Sequence, residues 1–195
     1  MFEEPEGVTP LDPDEIEGLR FQHITTRAEL DELEQANITQ GLRWLARQRG
    51  GDILTEDFVR KLHKRLFGDV WRWAGRYRAR EKNIGIDPFQ IAVQLRVLLD
   101  DARYWADNGT HGPLEAAALF HHRMVQIHPF PKGNGRHARI ASDLYLEKYF
   151  AHAPIDWASG FDPQADNDRR TAYIAALRAA DAGDFDPLLE FVGAT

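Results

Sequence analysis

The chain has 195 residues, a formal net charge of −7 and 28% charged residues, a composition typical of a globular protein. The net acidity argues against general nucleic-acid binding, which needs a basic surface, so we expect no nucleic-acid partner. No apolar run approaches the roughly 20 residues of a membrane span, the first residues show no signal segment, and cysteine is absent. We therefore expect a cytoplasmic protein without membrane contact, disulfides or thiolate metal sites. The sequence leaves its oligomeric state open.

Residues 1–54 are predicted to form an acidic segment followed by one helix. Residues 1–19 contain seven Asp or Glu and no Lys or Arg, so they form either a solvated tail or an internal mask over a positive site. The stretch 25–48 has apolar residues at helical spacing, and Thr25 or Thr26 can cap its start.

Residues 55–192 are predicted to be mainly helical. Helical spacing and capping residues predict helices over 54–68, from Asp87 onward, over 112–127, 135–150 and 168–183, and from Asp186. We expect the helix after Asp87 to place Phe89 and Val93 on its apolar face, together with nearby leucines. Residues 79–86 lack a helical period and are predicted to form a short β-hairpin flap. The predicted fold class is all-α with this small β element.

The stretch HPFPKGNGRHAR, residues 128–139, combines a glycine-rich turn with the start of a helix. Gly133 and Gly135 permit a tight turn and let a ligand approach the backbone closely. The first amides of the following helix have no intrahelical partner, which makes that helix start suitable for an anion. Arg136 and Arg139 share a helix face and can bind phosphate oxygens. The stretch indicates a phosphate site, although an ordinary turn followed by solvated arginines has the same residues.

His128 stands at the edge of this turn. Its imidazole titrates near neutral pH, so it can accept a proton from an attacking hydroxyl. Asn134 can donate its amide N–H to the same anion, and Phe130 is expected to point into the core. A base beside a phosphate site indicates transfer of part of a nucleotide, and the alternative is an ordinary histidine at a helix end.

The same stretch resembles the signature of the Fic family, His-x-Phe-x-acid-Gly-Asn-Gly-Arg-x-x-Arg. The matching positions are His128, Phe130, Gly133, Asn134, Gly135, Arg136 and Arg139. Residues 67–78 resemble the family's aromatic stretch ahead of its flap, and residues 173–192 resemble its C-terminal helix, so the similarity covers residues 55–192. The whole chain, with its acidic start, is similar to the bacterial subgroup called mobile mystery protein B.

The resemblance implies a Fic-like helical bundle that transfers AMP, or another nucleotide- or phosphate-derived group, to a Ser, Thr or Tyr hydroxyl of a protein. ATP or another nucleotide would be the co-substrate, and His128 would be the general base. The resemblance assigns phosphate binding to Gly133, Asn134, Gly135, Arg136 and Arg139. The flap, Arg80 to Ile86, would dock the protein target by strand addition. The wider family implies a toxin-like role with an antitoxin-like partner.

Lys132 departs from the family pattern, which has Asp or Glu at this position as a ligand of a divalent ion. An ammonium group has no lone pair, so we predict no metal ligand and an altered or absent dependence on Mg²⁺. Three interpretations follow. Lys132 replaces the metal as a positive charge on the nucleotide phosphates; or the site is a catalytically silent regulator that binds a phosphorylated ligand; or Lys132 points to solvent and waters hold a metal.

Residues 13–18, PDEIEG, resemble an inhibitory motif of the family, Ser/Thr-x-x-x-Glu-Gly/Asn, with Pro13 at the Ser/Thr position. The resemblance implies that Glu17 pairs with Arg139 and blocks productive nucleotide binding. The alternative is an acidic start of a helix, which the helix dipole favours by itself.

Other residues that carry chemistry have simpler interpretations. The eight histidines include no His-Glu-x-x-His spacing of a metal hydrolase, and His63, His121 and His137 are expected to be helix-surface or partly buried residues. Trp71 and Trp73 are predicted core anchors, and the alternative is that one of them lines an adenine pocket. Arg76, Arg78 and Arg80 alternate, which would place them on one face of a flap strand, facing either an acidic target or solvent.

Overall fold

A computed structural model of the protein describes residues 12–21, 23–48, 50–157 and 168–194. These ranges are mainly helical, as predicted, and no helix in them is long and apolar enough to cross a membrane. The elements in chain order are α1 (Pro13–Ile16), α2 (Arg27–Ala46), α3 (Glu56–Phe67), a 3₁₀-helix (Pro88–Gln90), α4 (Ile91–Asn108), α5 (Pro113–Ile127), α6 (Asn134–Phe150), α7 (Asp168–Asp181) and α8 (Asp186–Val192).

Side-chain caps fix the starts of the early helices. The Thr26 hydroxyl accepts the backbone N–H of Glu29 at 3.3 Å, and the Thr55 hydroxyl accepts that of Phe58 at 3.2 Å. The Asp87 carboxylate accepts the N–H two residues later at 2.9 Å, which begins the 3₁₀-helix ahead of α4. Each cap satisfies an amide that has no partner inside its own helix, so the predicted starts of α2 and α3 are confirmed.

Helix α5 lies between two hydrophobic cores. Ala116 and Phe120 face the main core, which α2, α3, α4 and α6 complete, whereas Ala117 and Ala118 face a smaller core formed with α7 and α8. Residues that are buried in the main core include Leu30, Leu62, Leu66, Trp71, Leu95, Met124, Phe130 and Tyr145. The C-terminal end of α5, where the motif begins, packs on the main core through Met124 and Ile127.

The β-hairpin predicted for residues 79–86 is wrong. In the described ranges, β-type pairing is limited to one isolated bridge between Leu19 and Trp71. Residues 79–86 run instead as turns and irregular chain. The predicted alternation of Arg76, Arg78 and Arg80 on one face is also wrong, since Arg78 is buried and the other two are exposed.

Arg78 explains why this segment needs no strand pairing. Its guanidinium donates to the carbonyl oxygens of His128 at 2.7 Å and Arg80 at 2.8 Å, and also to that of Ile86. These bonds satisfy carbonyl groups that a β-ladder would otherwise satisfy. Gly85, with φ +118°, lets the chain turn back beside the guanidinium. The buried side chain of Arg78 thus holds both ends of the flap segment, residues 80–86.

The apolar face predicted for α4 is only partly correct. Leu95 and Leu98 are buried, but Phe89 is 89% exposed and Val93 is 46% exposed. Val93 precedes Leu95 by two residues, which is roughly 200° around a helix, so the two side chains point to opposite sides. Phe89 belongs to the 3₁₀-helix, which buries none of its residues.

Candidate active site

His128 ends α5 in a left-handed conformation, with φ 52° and ψ 60°. Its backbone N–H still donates to the carbonyl oxygen of Met124 at 3.2 Å. Few residues other than glycine adopt this conformation, and it turns the chain directly into the loop that leads to α6. The end of α5 and the start of α6 are consequently joined by a tight turn with the imidazole at its beginning.

The imidazole of His128 is a neutral base in this environment. Burial, with smaller contributions from the charges of Arg78 and Lys82, lowers the pKa of His128 to about 4. At neutral pH the ring therefore carries no positive charge and keeps a nitrogen lone pair for a proton.

Gly133 and Gly135 differ in what surrounds them. Gly133 has φ +82°, and a Cβ at this residue would lie 2.7 Å from the ring of Phe67. Any other residue at this position would be strained and would collide with the core. A Cβ at Gly135 would meet no atom within 4 Å, so the start of α6 is open at this residue. An anion can approach the free amides of α6 through that space.

Asn134 holds the loop together from inside. Its amide oxygen accepts the backbone N–H of Phe130 at 2.9 Å, and its amide nitrogen donates to the Phe130 carbonyl at 2.7 Å. The sequence assigned this amide to the anion, but in the structure both of its polar atoms bind the loop backbone. Phe130 lies in the core, as predicted.

His63 supports the loop from α3. Its Nδ1 accepts the N–H of Gly75 at 3.1 Å, so its Nε2 is the donor to the carbonyl oxygen of Lys132 at 3.0 Å. Its ring stacks on Phe130 with centroids 3.8 Å apart. Burial holds the pKa of His63 well below its usual range, with a smaller contribution from His137.

Three histidines that were expected to be helix-surface or partly buried residues are instead fully buried: His63, His121 and His137. For His63 the sequence contains a usable signal, because it falls on the same helical face as Leu62 and Leu66.

Arg136 projects from the first turn of α6 and pairs with Glu34 of α2. Its guanidinium also lies over the ring of Phe67, 4.8 Å from the centroid. The other carboxylate oxygen of Glu34 accepts the indole N–H of Trp71 at 2.7 Å. Sequence reasoning missed Glu34, although it occupies the buried face of α2 four residues after Leu30.

Lys132 is 4% exposed and does not point to solvent. Burial by itself would raise the pKa of Glu34, but the charges of Arg136 and Lys132, together with the hydrogen bonds from Trp71 and Arg136, hold the pKa below its usual value. Lys132 is therefore close enough to a buried carboxylate for the two charges to stabilise each other. Of the three interpretations of Lys132, the solvent-facing one does not fit the structure.

Arg139 lies over the ring of Tyr173 in α7, 5.6 Å from its centroid. The Tyr173 hydroxyl is 2.8 Å from Nε2 of His121. Glu17 is exposed at the end of α1, and within the described ranges no ion pair joins it to Arg139. The inhibitory pair implied by the resemblance is thus not formed in this structure.

The acidic start of the chain contacts the flap segment instead. Lys82 is buried and pairs with the carboxylates of Asp12 at 2.8 Å and Glu15 at 2.5 Å. The indole N–H of Trp73 donates to the Glu15 carbonyl at 2.9 Å, which anchors α1 to the aromatic stretch. Helix α1 therefore covers a lysine whose charge reaches His128.

The residues around the motif do not fit a resident Mg²⁺ ion. The family's carboxylate position is Lys132, and the neighbouring carboxylate of Glu34 is buried and paired. The part of the chain that the structure describes contains no group of three or more His, Cys, Asp or Glu residues that could hold a metal.

Residues 53–146 match the model of the Fic/DOC family. This chain contains a Fic/DOC family domain. The Fic domain includes His128, Lys132, Arg136 and Arg139, whereas Glu34 lies ahead of the matched residues.

Relatives of the Fic domain are protein adenylyltransferases. The chain is 30% identical over 150 residues to protein adenylyltransferase fic-1 of Caenorhabditis elegans, covering 72% of this chain and 27% of the relative. It is 30% identical over 151 residues to protein adenylyltransferase Fic of Nematostella vectensis, covering 74% of this chain and 33% of the relative.

The fold of the Fic domain also has a solved counterpart. A structure of a Fic-1 variant from C. elegans aligns with a TM-score of 0.66 and 25% identity, and covers 91% of this chain and 51% of that one. The chain thus spans a third or less of the two curated relatives described above, and about half of the solved chain.

Proposed function

We propose that the Fic domain is a transferase that moves AMP, or another nucleotide- or phosphate-derived group, to a Ser, Thr or Tyr hydroxyl of a protein. The observation that carries this proposal is a neutral His128 at one end of a tight loop whose other end opens the amides of α6 beside Gly135. The activity of the curated relatives supports AMP as the group and ATP as the co-substrate.

The proposed reaction needs a base, a phosphate site and a leaving group. His128 accepts the proton of the target hydroxyl, and the hydroxyl oxygen attacks the α-phosphorus of ATP. A new O–P bond forms, the bond to the bridging oxygen of pyrophosphate breaks, and pyrophosphate carries away the electron pair. The amides at the start of α6 and the guanidinium of Arg136 would stabilise the charge that develops on the phosphate oxygens.

We further propose that metal dependence is altered or absent. Lys132 supplies a positive charge where the family pattern has a carboxylate that ligates a divalent ion. An ammonium group can attract phosphate directly but cannot ligate a metal. The proposal therefore predicts that transfer continues when divalent ions are removed by a chelator.

The test is transfer in a cell extract by the purified protein, with ATP, GTP, UTP and CDP-choline labelled in turn. We expect a covalent mass increase on one or more proteins, present with EDTA and lost in His128→Ala. His23→Ala is the matched control, since His23 is exposed and outside the site. No modification with any donor, with or without Mg²⁺, would reject a transferase.

The alternative function is a catalytically silent regulator that binds a nucleotide or another phosphorylated ligand. Two observations favour it: Lys132 replaces the metal-binding acid, and Arg136 is already paired with Glu34. Calorimetry and the extract experiment together distinguish the two functions. The regulator would bind a nucleotide in the calorimeter, but the nucleotide and the proteins of the extract would stay unmodified.

Further parts of the proposal rest on the resemblance of the motif. We propose that the flap segment, Arg80 to Ile86, docks the protein target, and that the chain belongs to the mobile mystery protein B subgroup. A cytoplasmic location, a toxin-like role and an antitoxin-like partner are proposed on the same basis. Pull-down with the flap segment replaced by alanines, compared with the unchanged protein, tests the docking role.

A further inference from the structure

We propose that Glu34 is a positioning residue of the nucleotide site, which orients Arg136 and balances the charges of partly buried Arg136 and buried Lys132. The inference rests on the proposed function and deepens it. It adds α2 to the site, although Glu34 lies ahead of the residues that match the Fic/DOC family.

Both oxygens of the Glu34 carboxylate are engaged. The side chain is fully buried, with 0% exposure, in the face of α2 that packs on the main core. One oxygen accepts the indole N–H of Trp71 at 2.7 Å, and the other accepts from the guanidinium of Arg136. Trp71 is itself buried and stacked on Trp73, with centroids 4.9 Å apart. The carboxylate therefore has a fixed direction before any ligand arrives.

An ionised group buried at this site needs a counter-charge, because without one it would destabilise the fold. A buried carboxylate without a partner would take up a proton, and buried ammonium and guanidinium groups without a counter-charge would also be destabilised. Glu34 keeps its negative charge because the charges of Arg136 and Lys132, together with the hydrogen bonds from Trp71 and Arg136, lower its pKa against the effect of burial. A phosphate group can complement the positive charges of Arg136 and Lys132.

Arg136 is held on two sides. Glu34 binds one part of its guanidinium, and the ring of Phe67 lies 4.8 Å below the guanidinium carbon. A guanidinium has several N–H donors in a fixed plane, so fixing one edge also directs the remaining donors. Those donors then meet a phosphate without first losing rotational freedom, which favours binding.

The direct test is nucleotide binding by Glu34→Gln. Glutamine keeps the size and an acceptor oxygen for the Trp71 indole, but it removes the charge and turns an NH2 donor toward Arg136, so the charge-assisted bond to Arg136 is lost. We expect the affinity for ATP, measured by calorimetry in EDTA, to fall roughly five- to tenfold. Glu32→Gln, the same change at an exposed residue of α2, should leave it unchanged. Unchanged or tighter binding by Glu34→Gln would overturn the inference.

A second test needs no nucleotide and separates charge balance from packing. Glu34→Gln, Lys132→Met and the double variant are compared by thermal unfolding. We expect Glu34→Gln to lower Tm. In the double variant, Lys132→Met should restore part of that loss, because it removes a cation that the charge of Glu34 no longer balances. Additive losses would overturn the charge-balancing role. If the unchanged protein binds no nucleotide, the proposed function fails, whereas non-additivity would still establish the coupling of Glu34 to Lys132.

Discussion

The ring of His63 joins α3 to the motif loop through a hydrogen bond of 3.0 Å from its Nε2 to the carbonyl oxygen of Lys132. The bond fixes the backbone of the residue that departs most from the family pattern. His63 also receives the N–H of Gly75, so a single neutral ring connects the aromatic stretch, α3 and the loop.

Replacing His63 should destabilise the protein through this connection. We expect His63→Ala to lower the free energy of unfolding by about 2–4 kcal/mol, since it removes a buried ring and leaves two backbone groups without partners. Urea unfolding followed by circular dichroism measures the change, with His23→Ala as the exposed control. A loss no greater than that of His23→Ala would contradict the connecting role.

The two glycines of the motif should respond differently to alanine. Gly133→Ala places a methyl group 2.7 Å from the Phe67 ring at φ +82°, and we expect a loss of about 2 kcal/mol or more in unfolding free energy. Gly135→Ala meets no atom within 4 Å, so stability should be kept or raised, while ATP affinity falls because the methyl group fills the approach to the amides. Loss of stability without loss of affinity in Gly135→Ala would contradict an anion site here.

Stability should decrease as the pH falls below about 6.5, because four buried histidines, His63, His121, His128 and His137, resist protonation. Burial lowers the pKa to about 3 for His121 and about 4 for His128 and His137. Between their unfolded and folded pKa values only the unfolded chain binds these protons. Each of these histidines then lowers the free energy of unfolding by about 1.4 kcal/mol for each pH unit.

Asp143 opposes this trend in part. Burial raises the pKa of Asp143 to about 6, so between pH 6 and its unfolded value near 4 the folded protein binds the extra proton. The single carboxyl of Asp143 offsets one of the four histidines, and the net effect is still a loss of stability. Urea unfolding at pH 7, 6 and 5 checks the trend, and a stability that stays constant or increases over this range would contradict it.

Glu15, rather than Glu17, should hold α1 in place. Glu15→Gln weakens the pairing with the buried side chain of Lys82, so we expect faster hydrogen exchange of the backbone amides of residues 15–17. Glu17→Gly removes an exposed side chain and should change ATP affinity less than twofold. A large rise in affinity in Glu17→Gly would show that Glu17 pairs with Arg139 in solution, as the resemblance implies.

The helices and the motif could be predicted from sequence because their signals are local. The hydroxyls of Thr26 and Thr55 each accept the backbone N–H of a residue three positions later, and the glycine turn directly precedes the helix that follows it. The pairing of Glu34 with Arg136 spans 102 positions, and the bond from Arg78 to the His128 carbonyl spans 50. No local pattern indicates such contacts, which is why the buried acid was missed.

The prediction of a β-hairpin flap was wrong for the same physical reason. An alternating pattern predicts a strand only if the backbone groups pair with another strand. Here one arginine satisfies carbonyl groups from distant parts of the chain, so the alternation of Arg76, Arg78 and Arg80 carries no information about sheet structure.

The hydrogen bonds of Arg78 limit how far the length of the flap segment can change without moving His128. One guanidinium donates to carbonyl oxygens of the flap segment and of His128, so a displacement of the segment also displaces the backbone of His128. Lengthening or shortening the segment by even one residue would pull on the backbone that carries the imidazole. Amino-acid changes on its outer surface are tolerated more easily than changes in its length.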